Sequence, residues 1–226
     1  MTRPRGIPWR IVLPVKGAPD GKSRLDVPGR RELARAFACD TLDAVVAAVA
    51  ASRVVVITPD PELENYAGHL GAAALADPRA GLNSAVAEAI RWARAADGPG
   101  PVAALLGDLP ALRPEDLRVA LGAATSAEEP LAFVPDRAGS GTVLLTAVEG
   151  DLVPKFGAGS ARRHEDAGHA RLDLDLPRLR TDVDVRGDLE VAIALGCGRH
   201  TSAVLARWAP LQGHGAAMDG HRPGLG

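Results

Sequence analysis

The chain has 226 residues, the length of one large domain, and its 46% hydrophobic and 24% charged residues are enough to bury and solvate a core. Lys plus Arg of 26 against Asp plus Glu of 28 gives a net charge of -2, without the basic excess of a duplex-binding domain, so no nucleic-acid partner is expected. Two cysteines, Cys39 and Cys197, in no CxxC or Cys/His spacing, exclude a disulfide framework and a zinc cluster; no run of about 18 apolar residues occurs, and a cytoplasmic protein without a membrane partner is expected.

In chain order, Arg10–Val15 (RIVLPV) is a short branched run and predicts a buried first strand, followed by a polar Gly/Pro loop. From Arg30 to Ala51, Leu33, Phe37, Leu42, Val45, Val46 and Val49 recur at helical steps. Val54–Ile57 predicts a strand that runs through Thr58-Pro59-Asp60-Pro61 into a helix from Glu62, and Ala72–Ala76 a weaker strand. Leu82–Ala96 predicts a helix with Asn83 or Ser84 near its N-cap. Val102–Leu106 predicts another buried strand, stopped by Gly107-Asp108-Leu109-Pro110, and Pro114-Glu115-Asp116 opens a further helix. Leu131–Val134 and Thr142–Ala147 predict two strands around a turn at residues 136–141. The repeated alternation of strand and helix before residue 125 implies an α/β layered fold with a mainly parallel sheet. Further on, Ser160 to about Gly168 predicts a short helix, Arg171–Asp175 and Arg180–Val183 strands, and Gly187–Leu195 a helix. One domain over 1–208 is expected, with Ala209–Gly226, rich in Gly, Pro and His, as a disordered tail without a function.

In an open α/β sheet ligands sit beyond the carboxyl ends of the strands, so the loops after apolar runs carry the candidates. The first holds Lys16, Lys22 and Arg24, two of only three lysines in the chain, at a density suited to a polyphosphate; a solvated basic turn would read the same. It has neither the P-loop order nor GxGxxG. Asp108 ends one buried strand, and Asp182-Val183-Asp184 ends another with Val183 turned to the core and both carboxylates away from it. Two such carboxylates with phosphate oxygens suit Mg²⁺, though turn acids capping the next helices have the same spacing. Gly139-Ser140-Gly141-Thr142, and Phe156-Gly157-Ala158-Gly159-Ser160 with Ser160 as an N-cap, could admit a small anion. Asn83 is either a reader of a base or ribose edge or a helix cap. His164 and His169, five apart, do not share a helix face and are expected to be exposed; Ser23, Ser140 and Ser160 lie in no GxSxG elbow, and Cys39 is expected in the core.

Together VKxxxxxKSRL (Val15 to Leu25), ITPD (Ile57 to Asp60), GLN (Gly81 to Asn83), GDLP (Gly107 to Pro110), DRAGSGT (Asp136 to Thr142), FGxxSARRH (Phe156 to His164) and TDVD (Thr181 to Asp184) resemble one family in order and spacing, from about Arg10 to Trp208. It is the phosphoenolpyruvate and 2-phospho-L-lactate guanylyltransferases of coenzyme F-420 biosynthesis. The resemblance implies a Rossmann-like nucleotidyltransferase of the GT-A type, a three-layer sandwich with a mixed, mainly parallel sheet. It implies GTP and a small phosphorylated three-carbon acid as substrates, with Asp108, Asp182 and Lys22 catalytic. Thr142, Gly157 and Ser160 would contact phosphoenolpyruvate, Lys16, Lys22, Arg24 and Asn83 would hold GTP, and Asp108 and Asp182 would ligate Mg²⁺ with Asp184 beside them.

The departures from the family pattern are small: Ser140 stands where threonine is frequent, and Ala158-Gly159 replaces a more polar pair. Arginine-over-lysine usage favours phosphoenolpyruvate, the acceptor of the actinobacterial branch, over 2-phospho-L-lactate or 3-phosphoglycerate. Molybdenum-cofactor and sugar nucleotidyltransferases share the fold but carry a GGxSxRMGxxK first loop, absent here. A non-catalytic nucleotide-binding regulator is the alternative from another class. The sequence leaves a homodimer open.

Overall fold

A computed structural model describes residues 8–15, 25–27 and 29–212. Seven strands form one sheet: β1 (Arg10–Pro14), β2 (Val54–Thr58), β3 (Ala73–Ala76), β4 (Val102–Leu105), β5 (Leu131–Pro135), β6 (Thr142–Ala147) and β7 (Ala170–Arg171). Their spatial order is β3-β2-β1-β4-β6-β5-β7, with β6 antiparallel to both its neighbours and every other pairing parallel. The expected α/β sandwich with a mixed, mainly parallel sheet is therefore observed.

The central strands are apolar on both faces because helices cover both. Ile11, Leu13, Val54, Val56, Ala103 and Leu105 join a core built against α1 (Arg30–Ala48), α2 (Pro61–His69) and α4 (Pro114–Ser126). Val12, Val55, Ile57, Val102 and Ala104 face the opposite way, onto α3 (Leu82–Asp97) and α5 (Ser160–Glu165). The period-two alternation along each strand thus sorts consecutive residues between two cores. A third cluster, with Leu33, Phe37, Val183, Leu189 and Val204, seats α7 (Arg186–Leu195) and α8 (Arg199–Gln212) against α1.

Helix α8 has no counterpart among the expected elements, and it crosses residue 209, where the disordered tail was expected to start. Its start is held from a distance: the carboxylate of Asp40 on α1, buried, accepts the backbone N–H groups of His200 and Thr201, both at 2.9 Å. An acid placed to satisfy orphan donors of another helix leaves no local sequence signal.

The strand expected over Arg171–Asp175 is longer than the one that forms, β7 ending at Arg171. After β7 only the Leu172 N–H reaches Phe133, and the Leu174 and Leu176 N–H groups bond back two residues, to Leu172 and Leu174. The leucines are packed against the core all the same, so alternation reports burial here without a partner strand. The strand expected over Arg180–Val183 is also absent: Pro177 starts a one-turn helix, α6 (Pro177–Arg180), and the extended chain after it meets a loop instead of a strand.

Candidate active site

A cleft of about 460 Å³ opens over the carboxyl ends of β1 and β4 and beside the turn between β5 and β6. Asp108, Asp182, Asp184, Thr142, Gly157 and Ser160 all line it. These six residues from four separate loops were expected to act together, and the fold brings them together. Lys16, Lys22 and Arg24 lie outside the described residues.

Backbone bonds account for the convergence of the first two loops. The N–H of Val183 donates to the carbonyl of Asp108 at 3.1 Å, which ties TDVD to GDLP. Leu109 N–H donates to the Thr41 hydroxyl on α1 at 3.0 Å, and the Pro110 carbonyl accepts from Gly198 N–H at 2.8 Å. Each polar group of this buried turn so used has a partner in a different element, which fixes its position. Gly107 is required by proximity: a Cβ there would stand 3.0 Å from the Pro14 carbonyl, the close approach that sets Asp108 beside the exit of β1. Val183 is fully buried while Asp182 is half-buried and Asp184 exposed, as alternation predicts. Helix α7 is capped by Asp188, which accepts from Asp184 and Val185 N–H at 3.1 Å, so neither Asp182 nor Asp184 is taken up as its cap.

The second pair of loops converges through Asp136 and α5. Asp136 Oδ1 accepts the Ser140 N–H at 3.0 Å and closes the DRAGSGT turn. The Ala161 N–H donates to the Ser140 carbonyl at 3.1 Å, setting the start of α5, and with it Ser160, against that turn. Ser160 is the first residue of α5 and buried; the N-cap is Gly159, in the left-handed region at φ 70°, with no side-chain cap. The expected N-cap role of Ser160 is therefore replaced by a position one residue further in. Gly157 at φ 121° has a conformation that L side chains rarely adopt.

Asn83 is not the cap of α3. Gly81 is the N-cap of α3, while the Asn83 amide accepts the Phe156 N–H at 2.7 Å and donates to the Phe156 carbonyl at 3.2 Å. A reciprocal pair of this kind clamps the loop that carries Gly157, and Asn83 acts on the cleft through that loop.

The two histidines, expected on the surface, are buried with ring centroids 5.4 Å apart. They do not share a helix face because His169 follows the end of α5 and folds back, its N–H donating to the His164 carbonyl at 3.0 Å. Burial lowers His164 to about 4, helped by His169, Arg163 and Lys155, and also lowers His169, so both rings are neutral near pH 7. Their burial was missed because it is a tertiary property, although His164 stands inside the FGxxSARRH motif. Cys39 is in the core as expected, and burial pushes its thiol up to about 12 and that of Cys197 up to about 11, far from a reactive thiolate.

Among the described residues no three His, Cys, Asp or Glu side chains gather into a metal cage. The cleft offers instead carboxylates from three loops, Asp108, Asp136 and the pair Asp182 and Asp184, and no thiol or imidazole among its lining residues. Oxygen-only donors, too few to enclose an ion by themselves, fit a hard cation completed by phosphate oxygens and water.

Residues 22–176 match the MobA-like NTP transferase domain, so the chain is a nucleotidyltransferase of that class. It is 48% identical over 206 residues to the phosphoenolpyruvate guanylyltransferase of Streptomyces coelicolor, covering 88% of this chain and 96% of that protein. It is 44% identical over 207 residues to the protein of the same name from Geodermatophilus obscurus, covering 87% and 94%. Within the class, the chain belongs to the phosphoenolpyruvate guanylyltransferase family. A solved structure from Desulfovibrio desulfuricans, described as a nucleotide-diphospho-sugar transferase, shares the fold with a TM-score of 0.63 at 18% identity, over 91% of this chain and 96% of that one. No helix among the described residues is long and apolar enough to cross a membrane.

Proposed function

We propose that this enzyme transfers GMP from GTP to phosphoenolpyruvate, releasing pyrophosphate and forming enolpyruvyl-diphospho-5'-guanosine, a step in coenzyme F-420 assembly. One observation carries the reading: in a chain of this family, Asp108 and Asp182 line the same cleft as Thr142, Gly157 and Ser160. Carboxylates for a cation and small groups for an anion therefore face one space.

An oxygen of the acceptor phosphate attacks the α-phosphorus of GTP in line, the new P–O bond forms, and the bond to the bridging oxygen of the β-phosphate breaks with pyrophosphate as leaving group. A phosphate dianion carries no proton that must be removed, so no general base is needed. That agrees with thiols held protonated and with His164 made a weak base by burial and absent from the cleft lining. Thr142 and Ser160, with the backbone at Gly157, orient the acceptor. Asp108 and Asp182 would hold Mg²⁺, with Asp184 beside them; when bound, the ion neutralises charge on the triphosphate and the leaving pyrophosphate. Lys16, Lys22 and Arg24 would supply the remaining positive charge, with Lys22 as the catalytic lysine.

Competition among phosphoenolpyruvate, 2-phospho-L-lactate and 3-phosphoglycerate with mixed GTP and ATP, read by mass spectrometry, tests the assignment. The expected product joins GMP to phosphoenolpyruvate with stoichiometric pyrophosphate. Preferential labelling of another acceptor would replace the substrate, and binding without pyrophosphate release would remove the enzyme.

A further inference from the structure

A backbone N–H can only donate, and that of Lys155 faces Nε2 of His164 at 3.1 Å. Nε2 is therefore the bare nitrogen, and the proton of the neutral ring sits on Nδ1. Nδ1 lies 2.9 Å from the hydroxyl oxygen of Thr142. The ring donates and the hydroxyl accepts. Threonine has one hydroxyl proton, and with the histidine side of its oxygen already occupied, that proton is directed elsewhere. Thr142 is buried on its protein side and lines the cleft, so the cleft is where an acceptor for it would stand.

We infer that His164 is a positioning residue: by holding Nδ1–H against Thr142 it presets that hydroxyl as a hydrogen-bond donor toward the anionic acceptor. The inference rests on the reading of Thr142 as an acceptor contact. An anion offers only lone pairs, so a hydroxyl free to rotate would present its own lone pair part of the time, and fixing the rotor removes that loss. The ring cannot easily take the other tautomer. It is fully buried among Phe133, Phe156 and His169, with centroids 5.8, 5.6 and 5.4 Å away, and a proton on Nε2 would meet the Lys155 N–H head-on. His169 supports the same geometry, since its Nδ1 faces the His164 carbonyl at 3.2 Å and must donate to it.

Two variants separate positioning from packing. His164→Gln keeps an oxygen near the Nε2 position to accept from Lys155 but offers Thr142 no donor there; His164→Asn keeps an amide N–H near Nδ1. With GTP and phosphoenolpyruvate as substrates, His164→Gln is expected to raise the acceptor KM about tenfold while leaving kcat and the GTP KM unchanged. His164→Asn is expected to stay within about twofold of the parent, and His164→Gln added to Thr142→Val to cost nothing further. Nitrogen-15 NMR of the His164 ring should find the proton on Nδ1 without any substrate present. Equal impairment of the Gln and Asn variants, additive losses in the double variant, or a proton on Nε2 would overturn the inference. If Thr142→Val leaves the acceptor KM alone, the Thr142 reading itself fails and takes the inference with it. If Thr142→Val raises that KM and His164→Gln does not, only the inference falls.

Discussion

The two halves of the sheet solve different problems with different materials. Strands β1 to β4 are parallel and almost wholly apolar, and they present their loops, Asp108 among them, as backbone-anchored ends. The β5–β6 hairpin with α5 and β7 buries polar groups instead: Thr142, Ser160, His164 and His169 all lie inside, with Thr142 bonded to the His164 ring and the His169 ring to the His164 carbonyl. A parallel apolar half can hold a carboxylate rigidly to bind a cation, whereas recognising one small anion needs oriented donors, which survive burial only when hydrogen-bonded. On the function proposed above, nucleotide chemistry falls to the first half together with the Asp182 loop docked on it, and acceptor orientation to the second.

That division makes unequal demands on variants. Asp108→Asn should lower kcat about 1,000-fold, about 4 kcal/mol, with the fold intact by circular dichroism, because it removes a carboxylate that would hold the cation against the transferring phosphate. Near-normal Mg²⁺-dependent turnover would end the assignment of chemistry to the first half. Next in size is an acid effect confined to the second half. His164 lies near 4 when folded against an ordinary 6.5, so on acidification the unfolded chain takes the proton first. The stability tied to the neutral ring is complete above pH 6.5 and drains as the pH falls toward about 4, roughly 3 kcal/mol in all, and His169 acts in the same direction. Urea unfolding at pH 7 and 4.5 should give a steeper acid loss for the parent than for His164→Asn; equal losses would mean the ring is not the sensor.

Smaller effects sharpen the boundary between substrates. Thr142→Val should raise the acceptor KM about tenfold, about 1.4 kcal/mol, without touching the GTP KM, measured by steady-state kinetics. A change in kcat as large as that of Asp108→Asn would merge the two halves into one. Asn83→Ala should loosen the Phe156 loop and weaken acceptor binding by about 1 kcal/mol, with GTP binding followed separately by calorimetry.

Much of the first half was legible in advance. Branched apolar runs such as RIVLPV and VVVIT, too short for a helix, favour strands covered on both sides, and Gly and Pro mark where they stop, so Asp108 could be put at a strand end from local pattern alone. In the second half the same reasoning misled. The leucine alternation after β7 reflected packing without a partner strand, the extended 181–183 segment met the GDLP loop, and the two histidines were expected in water. For Asn83 the residue was singled out and its partner was not, since Phe156 is 73 residues away.

Local chemistry along the chain was sufficient for the layered architecture, the loops that carry carboxylates and small residues, and the family those motifs resemble, because strand and helix periods, turn residues and spacing are properties of neighbours. Pairing of Val183 with Asp108, docking of α8 on Asp40, and the burial that leaves His164 neutral with its proton on Nδ1 were decided only on folding. Each depends on which distant donor meets which acceptor after water has been expelled, and no local period encodes that.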